Sequence, residues 1–102
     1  MSTDTEVIEK EKTATVVREP SMYKVILHND DTTSMDFVIM ILTTIFHKSV
    51  EDATTIMLAI HEQGQGIAGA PYTREIAEEK TSETLTLSRA NGFMLVASFE
   101  EL

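Results

Sequence analysis

The segment that most constrains the fold is an apolar strand that runs into a polar cluster and then into a helix. Residues 22–28 alternate in the manner of a strand, and Asn-Asp-Asp follows at residues 29–31. Thr33 stands three residues before Asp36, the spacing of a capping box, so we predict that Thr33 begins the helix. The chain must therefore turn from strand to helix within a few residues, with hydrogen-bond acceptors clustered at the turn.

The remaining elements follow from periodicity and caps. The first helix carries an apolar stripe, and Ser49 and Asp52 repeat the capping spacing before a second helix. Three glycines between residues 64 and 69 end that helix and begin a short extended piece over residues 67–72. Thr73 predicts a third helix to about residue 90, and a last strand spans residues 93–99 after an Asn-Gly turn. The order β-α-α-β-α-β predicts an α+β domain, with a small three-stranded, mostly antiparallel sheet covered on one face by three helices.

Composition narrows the class of protein. The chain has 102 residues, enough for one domain. Residues 1–20 are polar and predict a flexible N-terminal extension, so the folded domain should span residues 21–102. With 17 acidic residues against 8 basic ones, the net charge of −9 argues against nucleic-acid binding. No apolar run suits a membrane span, and no cysteine is present to form a disulfide. We expect a cytoplasmic protein, and we also expect a monomer.

The acceptor cluster suggests a ligand that is cationic at one point and apolar at the next. A free protein N-terminus with a large apolar first residue is such a ligand. Two alternatives remain open. One is a small metal-dependent hydrolase that uses His28, Asp30, Asp31 and His61, although no specific metal-ligand spacing is present. The other is a generic protein-interaction domain whose turn at residues 29–31 is only structural.

Three sequence motifs of the chain resemble those of one known family. Asn-Asp-Asp-x-Thr-x-Met-Asp-Phe-Val at residues 29–38 is followed by Ala-Thr-x-x-Met-Leu-Ala-Ile-His at residues 53–61. Tyr-Thr-x-Glu-Ile-Ala-Glu at residues 72–78 and a closing apolar strand come next. In order and spacing these motifs resemble the ClpS family, the adaptors that deliver N-degron substrates to a Clp AAA+ unfoldase.

The resemblance implies roles for particular residues and no catalytic residue, metal or cofactor. The substrate α-amino group would be held by Asn29, Asp30 and His61, and the turn would be braced by Asp31 and Thr33. The first side chain would enter a hydrophobic pocket lined by Met35, Val38, Met57, Ile60 and Leu95. The N-terminal domain of the unfoldase would dock on a surface that includes Glu75 and Lys80. Ser34 stands where the family often has proline, so we expect a looser start to the first helix.

Overall fold

The computed structural model describes residues 20–102. Its elements are β1 (Tyr23–His28), α1 (Met35–Thr44), α2 (Val50–Gln63), β2 (Gln65–Tyr72), α3 (Arg74–Ala90) and β3 (Val96–Glu101). The predicted order β-α-α-β-α-β is therefore confirmed. The predicted N-terminal extension, apart from Pro20, lies outside the described residues.

The sheet has the strand order β2-β1-β3, and β1 pairs antiparallel with both neighbours. Val25 and Leu27 of the central strand are completely buried and belong to the core under the helices. Ile26 points to the opposite face and is also buried, beside Ile67 of β2 and Ser98 of β3. The predicted α+β class, with the helices packed on one face, is confirmed. No helix among residues 20–102 is long and apolar enough to cross a membrane.

The start of α1 differs from the sequence prediction. Ser34, and not Thr33, is the N-cap: its backbone is extended and its Oγ accepts the N–H of Phe37 at 3.2 Å. The hydroxyl of Thr33 is engaged elsewhere, because it donates to Asp30. Ser34 therefore precedes the first helical residue and supplies a cap that stabilises the first turn, so the structure does not support the expectation of a looser helix start.

The turn after β1 is joined to the end of α2. Helix α2 begins at the predicted cap Ser49 and ends at Gly64, whose φ of 89° is the left-handed conformation that glycine adopts most easily. The carbonyl oxygen of Gly64 accepts the backbone N–H of Asn29 at 2.9 Å. This bond brings the last turn of α2 next to the turn that begins at Asn29. Strand β2 starts directly after the glycine, two residues earlier than predicted.

Helix α3 buries small and hydroxylated residues. Ala77, Thr81, Thr84 and Ser88 form its buried side, whereas the apolar Ile76 is 43% exposed. The hydroxyls of Thr81 and Thr84 are satisfied because they donate to the carbonyl oxygens four residues earlier, each at 2.8 Å. Small side chains on the buried side allow α3 to lie close to the sheet.

The final strand is shorter at its start than predicted. Strand β3 begins at Val96, not Phe93. The N–H of Phe93 donates to the carbonyl oxygen of Ser88, and its ring packs on Phe37 with centroids 4.7 Å apart. Phe93 is therefore held against α3 and α1, and pairing of the chain with β1 begins only at Val96.

Candidate functional site

A cavity of about 270 Å³ lies where β1 ends, between the following turn, the start of α1 and the last turns of α2. The structure brings together ten of the residues singled out in the sequence, and Ser34 completes the lining. They are Asn29, Asp30, Asp31, Thr33, Ser34, Met35, Val38, Met57, Ile60, His61 and Leu95. The cavity is therefore polar at the turn and apolar between the helices.

The apolar part of the cavity has a buried wall and one residue that is half exposed. Val38, Met57, Ile60 and Leu95 are buried members of the core cluster, and Leu95 is only 1% exposed. Met35, the first residue of α1, is 47% exposed and stands at the mouth. Its unbranched, flexible side chain can adapt to different occupants, whereas the packed wall cannot.

The polar part of the cavity is organised around Asp30. The hydroxyls of Thr32 and Thr33 donate to Asp30 Oδ2 at 2.7 and 2.8 Å. These hydrogen bonds, that of Thr32 first, lower the pKa of Asp30 from its ordinary value because they stabilise the carboxylate. Asp30 is therefore held as an anion at the rim of the cavity.

Asn29 presents its amide in a defined way. Its Nδ2 donates to Asp31 Oδ1 at 3.4 Å, which leaves the amide oxygen of Asn29 available as an acceptor. His61 lies in the last turn of α2, four residues after Met57, so it shares that face of the helix at the cavity. An amide oxygen, a carboxylate and an imidazole thus meet at one end of an apolar cavity.

The residues of the metal-dependent alternative are not assembled. His28 Nε2 is hydrogen-bonded to Ser98 Oγ at 2.8 Å, beside β3, and does not line the cavity that contains Asp30, Asp31 and His61. Within residues 20–102, no three His, Asp or Glu side chains are grouped in a way that could hold a metal ion. The arrangement does not favour a metal site.

The two residues of the predicted docking surface have different environments. Glu75 is exposed in the first turn of α3. Lys80 is half-buried: its Nζ donates to the carbonyl oxygen of Ile45, the C-cap of α1, at 2.8 Å. The same ammonium lies 5.8 and 5.6 Å from the ring centroids of Phe46 and Tyr72. Lys80 therefore fastens α3 to the end of α1, whereas the Glu75 side chain is exposed.

Sequence reasoning missed three contributors to the site. Thr32 does not line the cavity, but its hydroxyl donates to Asp30. The spacing of two residues between Asp30 and Thr32 is the sequence signal that could have predicted this hydrogen bond. Ser34, which the family resemblance presents as a weakening departure, caps α1. Ser88, whose Oγ accepts the N–H of Leu95 at 3.1 Å, lies far from the motifs and carried no signal in the sequence.

The chain is similar to proteins of one family. Residues 18–98 match the family model described as the ATP-dependent Clp protease adaptor protein ClpS. The ATP-dependent Clp protease adapter protein ClpS of Desulforapulum autotrophicum is 49% identical over 96 residues, covering 90% of this chain and 91% of the relative. The ClpS of Vibrio cholerae is 46% identical over 101 residues, covering 99% of this chain and 92% of its own length.

A solved structure shares the architecture. Agrobacterium tumefaciens ClpS2 bound to L-phenylalaninamide superposes with a TM-score of 0.78 at 33% sequence identity. The match covers 82% of this chain and the whole of that one. This chain therefore has the same fold as ClpS2, whose structure contains the amide of an aromatic amino acid.

Proposed function

This chain belongs to the ClpS family of Clp protease adaptors, and on that premise we propose that it binds proteins whose free N-terminal residue is large and apolar, delivering them to a Clp AAA+ unfoldase. The first residues we expect are Leu, Phe, Tyr and Trp. In this role the protein recognises and hands over its substrate without catalysing a reaction. The substrate is degraded by the protease complex.

The observation that carries the proposal is the division of one cavity into a polar end and an apolar wall. L-phenylalaninamide, the ligand of the related ClpS2, has a free amine beside a benzyl side chain. An amine that meets Asn29, Asp30 and His61 would leave an attached side chain among Met57, Ile60 and Leu95. The chemistry of that ligand therefore matches the two ends of the cavity.

Selection for a free N-terminus follows from hydrogen-bond counting. An α-amino group has a pKa of about 7.7–8.0, so at neutral pH it is mainly ammonium with three donors. Asn29, Asp30 and His61 supply three acceptors. An internal peptide N–H offers one neutral donor and would leave acceptors unpaired, which is costly when they are covered by the ligand.

The size of the cavity sets how much of the substrate is recognised. Its volume of about 270 Å³ is below the roughly 300–1,000 Å³ of sites for drug-sized ligands. The cavity thus suits one side chain rather than a long peptide. Burial of one large apolar side chain contributes about 1.5–3 kcal/mol, and each charge-assisted hydrogen bond to the amine adds about 1.5–3 kcal/mol. Association costs at least about 4 kcal/mol, so three such hydrogen bonds at the upper end of the range leave about 8 kcal/mol for binding. We expect affinity near micromolar, weak enough for transfer to the unfoldase.

Delivery requires a second surface. We propose that the face of α3 that carries Glu75 docks on the N-terminal domain of the unfoldase. Glu75 is exposed there, and Lys80 fixes the orientation of α3 relative to α1. The substrate cavity is formed by other residues of the domain, so both partners could be bound together.

The experiment is a titration with peptides that differ only at residue one, each with a free and an acetylated amine. We expect Leu, Phe, Tyr and Trp peptides to bind when free and to lose most of their affinity when acetylated. Equal affinity for the two forms would overturn the proposed recognition. Binding that ignores the first residue would instead favour a generic protein-interaction domain.

A further inference from the structure

Two hydroxyls hold Asp30 through the same atom. Thr32 Oγ1 and Thr33 Oγ1 both donate to Oδ2, at 2.7 and 2.8 Å, and the backbone N–H of Thr33 donates to the carbonyl oxygen of Asp30 at 3.2 Å. The other carboxylate oxygen, Oδ1, receives neither hydroxyl. The two threonines therefore make the two oxygens of one carboxylate unequal.

Thr32 and Thr33 differ in their relation to the cavity. Thr33 lines it, so changing Thr33 could alter both the support of Asp30 and the shape of the site. Thr32 is exposed and stands outside the lining. Its hydroxyl is connected to the cavity through its hydrogen bond to Asp30.

We propose that Thr32 is a positioning residue for N-terminal recognition: its hydroxyl engages Oδ2 of Asp30 and thereby presents Oδ1 to the substrate ammonium group. The inference rests on the proposed function, because it assigns Asp30 to the ammonium. A carboxylate can rotate about its last side-chain bond, and two hydrogen bonds to one oxygen restrict that rotation. Binding then requires less ordering of the site, which raises affinity without adding a contact to the ligand.

The electrostatics of the turn agree with this role. The Thr32 hydroxyl is the largest contributor that lowers the pKa of Asp30, and Thr33 is the second. Asp31 and His61 are the other titratable residues that line the cavity, and Asp36 stands in the first turn of the adjoining α1. None of these groups is altered by a substitution at Thr32, so a change in the titration of Asp30 would report the lost hydroxyl.

The test compares Thr32→Val, which keeps the side-chain shape, with Thr32→Ser, which keeps the hydroxyl. We expect Thr32→Val to weaken binding of a free Leu or Phe peptide about three- to tenfold without changing the ranking of first residues. Thr32→Ser should retain wild-type affinity. Thr55→Val, the same exchange at an exposed threonine of α2 outside the cavity, is the matched control.

Two further measurements separate positioning from a general effect on the turn. In an Asp30→Ala background, Thr32→Val should cause no additional loss of affinity, because the residue through which it acts is absent. NMR titration of the Asp30 carboxyl carbon in the free protein should give a higher pKa in Thr32→Val than in wild type, and an unchanged one in Thr32→Ser.

The outcomes distinguish this inference from the proposed function. If wild-type protein binds free and acetylated peptides equally, the proposed function and the inference both fail. If wild-type protein selects free amines but Thr32→Val binds them as tightly as wild type does, only the positioning role is overturned. An equal loss with and without Asp30 would also overturn it.

Discussion

Ser88 Oγ lies 3.1 Å from the backbone nitrogen of Leu95 and accepts its hydrogen bond. Both residues are buried, and Leu95 forms part of the apolar wall of the cavity. The carbonyl oxygen of Ser88 also accepts the N–H of Phe93, so one residue of α3 holds two points of the segment that leads into β3. The two hydrogen bonds of Ser88 thus tie the far wall of the cavity to α3.

Ser88→Ala should therefore destabilise the fold. The substitution leaves the buried N–H of Leu95 without its acceptor, which costs about 1–3 kcal/mol in the free energy of unfolding. Chemical denaturation followed by circular dichroism measures this difference. Ser82→Ala, an exposed serine on the same helix, should change the free energy of unfolding by less than about 0.5 kcal/mol. Similar effects of the two substitutions would show that the Ser88 hydrogen bond does not stabilise the fold.

The turn at residues 29–33 shows how far sequence reasoning reaches. Its acceptors are contiguous, so their proximity could be predicted from the end of a strand and the start of a helix. The sequence could not predict whether Thr33 or Ser34 is the cap, because both residues carry a hydroxyl with the same capping chemistry. The structure resolves it through Asp30, which engages Thr33 and leaves Ser34 to cap α1.

The more distant parts of the site required the fold. The spacing of Met57 and His61 predicts that they share a helix face. Their proximity to Asn29 is a property of the fold, in which the backbone N–H of Asn29 donates to the carbonyl oxygen of Gly64 at the end of the same helix. Leu95 was suggested only by the family resemblance. Phe93, two residues earlier, has the strand propensity that predicts a place in the last strand, yet its hydrogen bond to Ser88 of α3 overrides that local preference.

If Glu75 contacts the unfoldase directly, its substitution should affect docking without affecting the stability of the fold. Glu75→Lys should weaken binding to the isolated N-terminal domain of a Clp unfoldase while peptide affinity and melting temperature stay unchanged. Glu51→Lys is the matched control, because Glu51 is also exposed in the first turn of a helix and carries the same helix-dipole cost. Equal losses in the two variants would argue against a specific docking role for Glu75.

Lys80→Ala should behave differently from Glu75→Lys. It removes the hydrogen bond to Ile45 and the contacts of the ammonium with two aromatic rings, so the melting temperature should fall together with docking. The measurements are thermal denaturation and calorimetric titration with the unfoldase domain. Loss of docking at an unchanged melting temperature would mean that Lys80 acts by direct contact instead.

Affinity for free peptides should decrease at alkaline pH. The peptide α-amino group has a pKa of about 7.7–8.0, so at about pH 9.5 it has lost the charge and one donor that it presents to Asp30. Burial raises the pKa of Tyr72, which favours the neutral phenol in this range. We expect affinity at least about tenfold lower at pH 9.5 than at pH 7. Calorimetric titration at the two pH values measures it, and a flat profile would contradict ammonium recognition.

Asp30→Ala should weaken binding of every free N-terminal peptide. Loss of one charge-assisted hydrogen bond corresponds to about a 10- to 100-fold lower affinity. The factor should be similar for Leu, Phe, Tyr and Trp, because the amine is common to all of them. Asp36→Ala removes the same charge from a nearby exposed residue outside the cavity and should have a much smaller effect on binding. A residue-dependent loss in Asp30→Ala would contradict its assignment to the amine.

Met35→Ala should alter selectivity more than it alters mean affinity. Met35 is half exposed at the mouth of the cavity, and its truncation enlarges the space in front of the buried wall that includes Leu95. Side chains branched at Cβ are wide close to the backbone, where a ligand would pass Met35. Peptides that begin with Ile or Val should therefore gain affinity relative to Leu, because an excluded volume has been removed.

The measurement is calorimetric titration of Met35→Ala with Leu, Ile and Val peptides, with circular dichroism to verify folding. Met94→Ala is the matched control, because Met94 is also strongly exposed but lies outside the cavity lining. The ratio of Ile to Leu affinity should rise several-fold in Met35→Ala and stay constant in Met94→Ala, since about 1.4 kcal/mol corresponds to a tenfold ratio. If the ranking of first residues is the same in both variants and in wild type, Met35 does not gate the cavity, and selectivity must come from the buried wall.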